Sequence, residues 1–297
     1  MPLQKLRSWL RLRRRYRLLR YALRLEPELT VEYLGHPFSY PSGSMIGAYV
    51  AAGGAWDGIL RDLAAELLPE EPTICEVGSN IGASLLQILS GRPRANSVAI
   101  EPSDRFRPFL ERNLRSAGHD RVEILSIALD STPGRFRLYN NASTASGVGA
   151  EYDGHEGRGQ QWAEASTLDE LWATRGRLDL LKIDTDGYEA AIIAGGKLTL
   201  AAHHPLVFME LTPHLGRSET ALALLRDASY RRFSCLSPVP NVRLIGVSED
   251  PDEVIRWADA ESARYCDVVT CAPTAEYAPR LEATIHHHIA GLYEVRP

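Results

Sequence analysis

The chain has 297 residues, long enough for one large domain with a substantial core and a terminal extension, and its 44% hydrophobic and 24% charged content excludes disorder of the whole. Four cysteines, Cys75, Cys235, Cys266 and Cys271, form no Cys-x-x-Cys pair, so neither a zinc site nor a disulfide framework is predicted, and a reducing, cytoplasmic setting fits best. Residues 1–30 carry Lys5 and eight arginines against Glu26 and Glu28, a net +7 that leaves −12 for the rest of a chain totalling −5; an acidic body with a basic arm argues against a nucleic-acid partner.

Residues 3–25 read as one helix, because good helix formers dominate and neither Gly nor Pro interrupts them. Leu3, Leu6, Trp9 and Leu10, then Leu12, Tyr16, Leu19 and Leu23, keep helical spacing among the arginines. Such a helix lies peripherally on an anionic membrane surface, packs on its own domain or a second copy, or, less in keeping with the acidic body, meets nucleic acid. No apolar run approaches the length of a membrane span, and the N-terminus lacks the continuous apolar core of a secretory signal.

Residues 30–54, with Pro37, Pro41 and several Gly and Ser, predict an irregular or short-stranded lead-in. Trp56, Ile59, Leu60, Leu63 and Leu67 then form an apolar helical stripe, ended by Pro69, that should pack on the following sheet.

The stretch Thr73-Ile-Cys-Glu76-Val-Gly78-Ser79-Asn80-Ile-Gly82 reads as a strand, a tight turn and a helix start, with Ala83–Leu89 continuing the helix. Its glycines let a ligand approach the backbone, the helix start offers unpaired N–H groups, and Glu76 can accept hydrogen bonds. A nicotinamide-binding turn wants Gly at the middle position, where this chain has Asn80, and that weakens a pyrophosphate reading. The turn instead resembles the first motif of class I S-adenosylmethionine-dependent methyltransferases.

Ser97–Ile100 gives a second short strand with Glu101 and Pro102 at its carboxyl end, placed where an acid can accept both hydroxyls of an adenosine ribose. Phe106, Phe109, Leu110 and Leu114 mark a helix stopped at Gly118. A third strand, Val122–Ile127, leads to Ala128, in the loop that neighbours the adenine in this architecture. Leu129–Asn141, turning at Pro133-Gly134, reads as an inserted hairpin, and the polar stretch 141–160 as either a substrate lid or an ordinary surface loop. Ser166-Thr-Leu-Asp169 starts a further helix with Asp169 in its first turn.

In Leu178–Glu189, alternation puts Leu180, Lys182 and Asp184 on one strand face, with Asp184 emerging at the carboxyl end and Asp186-Gly187 turning into a helix from Tyr188 to Leu198. The strand Pro205–Leu211 likewise ends near an acid, Glu210. Asp184, Asp186 and Glu210 thus converge where open α/β sheets bind ligands, and predict a site for a substrate hydroxyl, for a divalent cation held by these three, or for both; Asp184 also has Lys182 as a partner. A helix around Ala221–Leu225, a strand Tyr230–Leu236, a helix capped by Asp250-Pro251 running to Trp257, and a strand Val268–Cys271 complete about seven strands. Adjacent histidines on one helix point in different directions, so His286–His288 predict a surface helix and no metal site.

Taken together, Glu76-Val-Gly-Ser-Asn-Ile-Gly82, Ala99-Ile-Glu101-Pro102, Ser166-Thr-Leu-Asp169 and Leu181-Lys-Ile-Asp-Thr-Asp-Gly-Tyr-Glu189 resemble, in order and spacing, the motifs of FkbM-type S-adenosylmethionine-dependent methyltransferases over residues of about 55 to 215. Ser79 stands where that family usually has Ala, and Asp186 where it usually has Glu, shortening one carboxylate arm. The resemblance implies a doubly wound α/β, Rossmann-like sheet of seven mostly parallel strands with the last reversed. It implies S-adenosylmethionine held by Glu76, Gly78, Ser79, Asn80, Gly82, Glu101, Pro102 and Ala128, and O-methylation of a hydroxyl on a sugar, polysaccharide or secondary metabolite. Asp184, Asp186 and Glu210 would do the proton work. The implied organisation is a basic arm over 1–29, a lead-in and packing helix over 30–72, the methyltransferase domain over 73–275 and a helical tail over 276–297. Two rival readings are a non-catalytic membrane or protein adaptor on the same scaffold and a nicotinamide-dependent oxidoreductase.

Overall fold

The structure, a computed structural model, describes residues 28–119, 121–140, 145–148, 160–215, 217–238, 242–261 and 264–294. The basic arm and most of the polar stretch 141–160 lie outside the described residues.

The lead-in takes the short-stranded of the two forms its Pro and Gly content predicts. β1 (Glu28–Tyr33) and β2 (His36–Pro41) pair antiparallel with Tyr33 opposite His36. Their two-residue turn, Leu34-Gly35, has φ of 53° and 80°, the left-handed pair whose twist suits a tight hairpin. A short helix, Met45–Ala51, follows, its N-terminus capped by the Ser44 hydroxyl accepting the Gly47 N–H at 3.0 Å.

The main sheet has eight strands in the order β13-β12-β14-β11-β10-β3-β4-β5. These are β3 (Thr73–Val77), β4 (Asn96–Ile100), β5 (Val122–Leu125), β10 (Leu180–Ile183), β11 (Leu206–Leu211), β12 (Arg232–Leu236), β13 (Leu244–Ser248) and β14 (Cys266–Cys271). β5, β4, β3, β10 and β11 run parallel, and β14 enters antiparallel between β11 and β12. This is the expected mostly parallel sheet with a reversed last strand. β13 adds an eighth strand at the β12 edge to the seven expected.

Both sheet faces are covered, as near-continuous apolar strands require. Successive residues enter opposite cores: Ile74, Leu180, Leu206 and Phe208 join one, Cys75, Leu181, Val207 and Met209 the other. The first core takes in the hairpin and the helices Ile59–Leu67, Ala83–Gly91 and Leu281–Glu294. Asn113, buried on the helix Arg107–Ser116, fastens the hairpin to it: its side chain accepts the Ser39 N–H at 2.7 Å and donates to the carbonyls of Ser39 at 2.9 Å and Ile81 at 2.8 Å.

Two local expectations are corrected. The strand expected over Val122–Ile127 splits at Ser126, and β6 (Ile127–Leu129) joins a second sheet of order β6-β9-β7-β8 with β7 (Gly134–Asn140), β8 (Ala145–Val148) and β9 (Gln160–Ser166). The hairpin expected over Leu129–Asn141 does not form across Pro133-Gly134, because β9 inserts between β6 and β7, parallel to the first and antiparallel to the second. Period-two alternation sets which face a side chain takes; the neighbouring strand is chosen by non-local pairing. The histidine helix lies at the surface, with His286 and His287 exposed, and packs one face through buried Leu281 and Ile285 while His288 bonds Asp62 and His287 bonds Glu66 on the helix Ile59–Leu67.

Candidate active site

A cavity of about 360 Å³ opens at the carboxyl ends of β3, β4, β10 and β11, where a parallel sheet leaves a crevice between diverging loops. On one side lies the turn after β3. Gly78 has φ +84°, and a Cβ there would stand 1.9 Å from the Asp184 carbonyl, so only glycine allows β3 and β10 to end side by side. Asn80 holds a left-handed φ of 49°, which asparagine tolerates better than most side chains. Its Oδ1 is buried on the wall without a hydrogen-bond partner.

Glu101, at the end of β4, is buried and bound to that turn. One carboxylate oxygen accepts the Asn80 N–H at 2.7 Å, the other the Ser103 N–H at 2.8 Å. Burial pushes its pKa up to about 7, against the pull of those two N–H groups. Pro102, Ala128, Leu129 and Leu138 continue this end of the wall.

The other end is acidic. Lys182, on β10 and buried, donates to Asp184 Oδ2 at 3.1 Å and Ser84 Oγ at 3.2 Å and stands 3.4 Å from Glu76 Oε1. Burial by itself would lower this lysine, but Asp184 and Glu76 hold it firmly protonated. The pairing of Asp184 with Lys182 therefore exists, and Asp184 faces the cavity as well. Asp186, at φ 53°, sits in a turn organised by buried Glu189, whose Oε1 accepts from the N–H groups of Thr185 and Gly187 and from the Thr185 hydroxyl.

Glu210 on β11 lies directly across from Asp267 on β14. Burial, then the charges of Asp184, Asp186 and Asp267, push Glu210 well above the usual carboxylate range; burial and neighbouring carboxylates do the same to Asp267. Glu210 Oε2 and Thr212 Oγ1 are buried on the cavity wall with no partner. Asp57, just before the helix Ile59–Leu67, feels Lys182, Asp184 and Glu76, and burial raises it to about 7.

Of the residues singled out in the sequence, Gly78, Ser79, Asn80, Glu101, Pro102, Ala128, Asp184, Asp186 and Glu210 line the cavity. Glu76 and Gly82 stand behind its wall: Glu76 is fully buried against Lys182 and Ser84, and Gly82 packs towards Leu110. Among the described residues no three His, Cys, Asp or Glu side chains are grouped to hold a metal ion, so the Asp184, Asp186 and Glu210 set does not fit a cation site. Sequence reasoning missed Met45, Ile46, Trp56 and Tyr265, which also line the cavity. Their one local signal is Trp56 at the head of its apolar stripe, and that reads as core packing.

Residues 76–232 match the Methyltransferase FkbM domain, slightly more than half of the chain. The chain belongs to the FkbM methyltransferase family. Within it, the chain is 27% identical over 158 residues to the 2-O-methyltransferase NoeI of Sinorhizobium fredii, covering 47% of this chain and 63% of that protein. It is 40% identical over 88 residues to the AMB antimetabolite synthetase AmbE of Pseudomonas aeruginosa, covering 29% of this chain and 4% of that one. The alignments thus span less than two thirds of the length of either curated relative. A solved FkbM methyltransferase from Methylobacillus flagellatus superposes with a TM-score of 0.44 at 14% identity, covering 68% of this chain and 44% of that chain. The FkbM match takes in the turn after β3, Glu101, Lys182 and the Asp184–Glu210 acids; Met45, Ile46, Trp56 and Tyr265 fall outside it.

Proposed function

We propose that this FkbM-family chain is an S-adenosylmethionine-dependent O-methyltransferase acting on a hydroxyl of a sugar, polysaccharide or secondary metabolite. The observation that carries the reading is the charge of the cavity wall. Asp184 and Asp186 face it, with Glu101 and Glu210 as further carboxyls whose burial raises them, and Lys182, the one lysine or arginine on it among the described residues, is already tied to Asp184. Such a wall favours a cofactor bearing an ammonium and a sulfonium and opposes the pyrophosphate of a nicotinamide cofactor. The unpartnered Asn80 Oδ1 offers an acceptor on the same wall.

Glu101 would hold the ribose hydroxyls, since two of its lone pairs are taken by N–H groups and the remainder face the cavity. The turn through Gly78, Ser79 and Asn80 would hold the amino-acid end, with Ala128 and Pro102 beside the adenine; Glu76 and Gly82 shape that turn from behind. The cofactor, when bound, supplies an electrophilic methyl group.

The chain's own task is to align the acceptor hydroxyl and remove its proton. Glu210 suits the second role, because a carboxylate with a raised pKa is a stronger base and its Oε2 has no partner to displace. Asp184, anchored by Lys182, would orient the same hydroxyl, with Asp186 beside it. Because the cavity also takes walls from residues 45–56, the functional unit would begin before residue 73. The arm over 3–25 would add a peripheral contact with anionic lipid, or with a second copy. No helix among the described residues is long and apolar enough to cross a membrane.

Calorimetry with S-adenosylmethionine, S-adenosylhomocysteine and NAD tests the reading. Binding of the first two and not the third is expected. Binding of NAD alone would make the chain an oxidoreductase, and binding of none would favour an adaptor.

A further inference from the structure

We propose that Trp56, together with Met45 and Ile46, is the acceptor-recognition wall of this site, and that the acceptor it takes is an uncharged or amine-bearing polyol with one apolar face. The inference rests on the methyltransferase reading and deepens it.

Trp56 is placed at the acidic end of the cavity by its neighbour. Asp57 interacts electrostatically with Lys182, Asp184 and Glu76, and bears on Asp267 as well. The chain thus enters the cavity wall at Trp56 beside these acids, and the indole lines the same cavity as Asp184, Asp186 and Glu210. It is half-buried, stacked edge-on against Tyr49 with ring centroids 5.7 Å apart, so its orientation is set before any ligand arrives. Met45 and Ile46 come from the first turn of the helix Met45–Ala51 and extend the apolar surface; Met45 is 42% exposed.

The hairpin that precedes this segment is tied to the cofactor turn: Asn113 bonds both Ser39 and Ile81, and the Tyr33 hydroxyl accepts from the Gln87 side chain at 2.6 Å and bonds the Trp56 backbone. A wall fixed this way selects by shape.

The same cavity is lined by Asp184, Asp186, Glu210, Tyr265, His214 and Thr212. An acceptor in this cavity meets the flat apolar surface of the indole and the carboxylates of Asp184 and Asp186, with Glu210 as a further hydrogen-bonding group. A sugar-like ring presents C–H groups to the indole and hydroxyls, or an ammonium, to the acids. A ring carrying a carboxylate or phosphate is repelled by the same acids, since Lys182 is neutralised by Asp184 and Glu76. All three wall residues precede the family-matched span of 76–232.

The test uses the full chain saturated with S-adenosylhomocysteine and three probes: methyl β-glucoside, glucosamine and glucuronate, with dissociation constants from saturation-transfer NMR titration. The glucoside and glucosamine are expected to bind at least about tenfold more tightly than glucuronate. Trp56→Ala should weaken both by about tenfold, Trp56→Phe should restore most of the loss, and S-adenosylhomocysteine affinity should stay within about twofold in each variant. Glucuronate binding as well as the glucoside, Trp56→Ala binding like the parent, or none of the three probes binding would overturn the proposal. Failure of the unsubstituted chain to bind S-adenosylhomocysteine would strike the methyltransferase reading instead, and the proposal with it.

Discussion

Glu101 and Asn80 are joined by a 2.7 Å hydrogen bond from the Asn80 backbone N–H to the Glu101 carboxylate. The acid at the end of β4 and the glycine-rich turn after β3 therefore move as one unit, and a ligand that engages either feels both. The bond also fixes which oxygens remain for a ribose.

Replacing Glu101 by Ala removes charge-assisted acceptors from the cavity and leaves the Asn80 and Ser103 N–H groups unpaired. S-adenosylmethionine affinity should fall by about ten- to a hundredfold, or about 1.5–3 kcal/mol. Calorimetry on the folded variant checks this, and an unchanged affinity would remove Glu101 from the site.

Burial raises Glu101 from an ordinary 4.5 to about 7, which gives the pH dependence its sign. Between those values the folded chain holds a proton that the unfolded chain has lost, so this group's contribution makes stability fall as pH rises, levelling off above 7. Cofactor affinity should move the opposite way, since the ionised carboxylate is the better acceptor for hydroxyls. Thermal melts from pH 4 to 8 should show a shallower decline for Glu101→Gln than for the parent; parallel curves would contradict the assignment.

Glu210→Gln keeps the shape of the site and removes its unpartnered base, so turnover should drop by about 10²–10⁴-fold. Cofactor affinity should change far less. Asp184→Asn should also lower turnover, by weakening the hold of Lys182 on the orienting group. Full activity in Glu210→Gln would transfer the proton work to Asp184 or Asp186. A kcat and cofactor Kd for each variant separates these outcomes.

Asn113→Ala removes three buried hydrogen bonds and strands the Ser39 N–H. A loss of about 3 kcal/mol in stability is expected by chemical denaturation. A loss near zero would mean that the hairpin contributes little to holding the Trp56 wall.

The basic arm makes a prediction from its residues alone. Lysine and arginine near an anionic leaflet contribute on the order of 1 kcal/mol each. The full chain should co-sediment with anionic liposomes at low salt and detach as salt rises. A chain starting at Pro27 should keep cofactor binding and lose the lipid. No lipid binding by the full chain, together with lower stability of the shortened one, would make the arm a packing element.

The short apolar strands, the acids at their ends and the motifs that resemble the FkbM family were enough together to predict a mostly parallel sheet with Glu101, Asp184, Asp186 and Glu210 at one crevice. Both depend on local geometry: residues two apart share a face, and parallel strands end on the same side. Strand pairing is not local, and so β9 between β6 and β7, the edge strand β13 and the opposition of Glu210 to Asp267 were decided only by the tertiary structure. The same holds for Glu76, which reads as a ligand in its motif. It is buried behind the wall because Lys182, 106 positions later, needs a countercharge where water is excluded. Trp56 reads as core from its helical stripe. Only the tertiary structure brings it to the wall of the cavity, because its neighbours there come from strands distant in sequence.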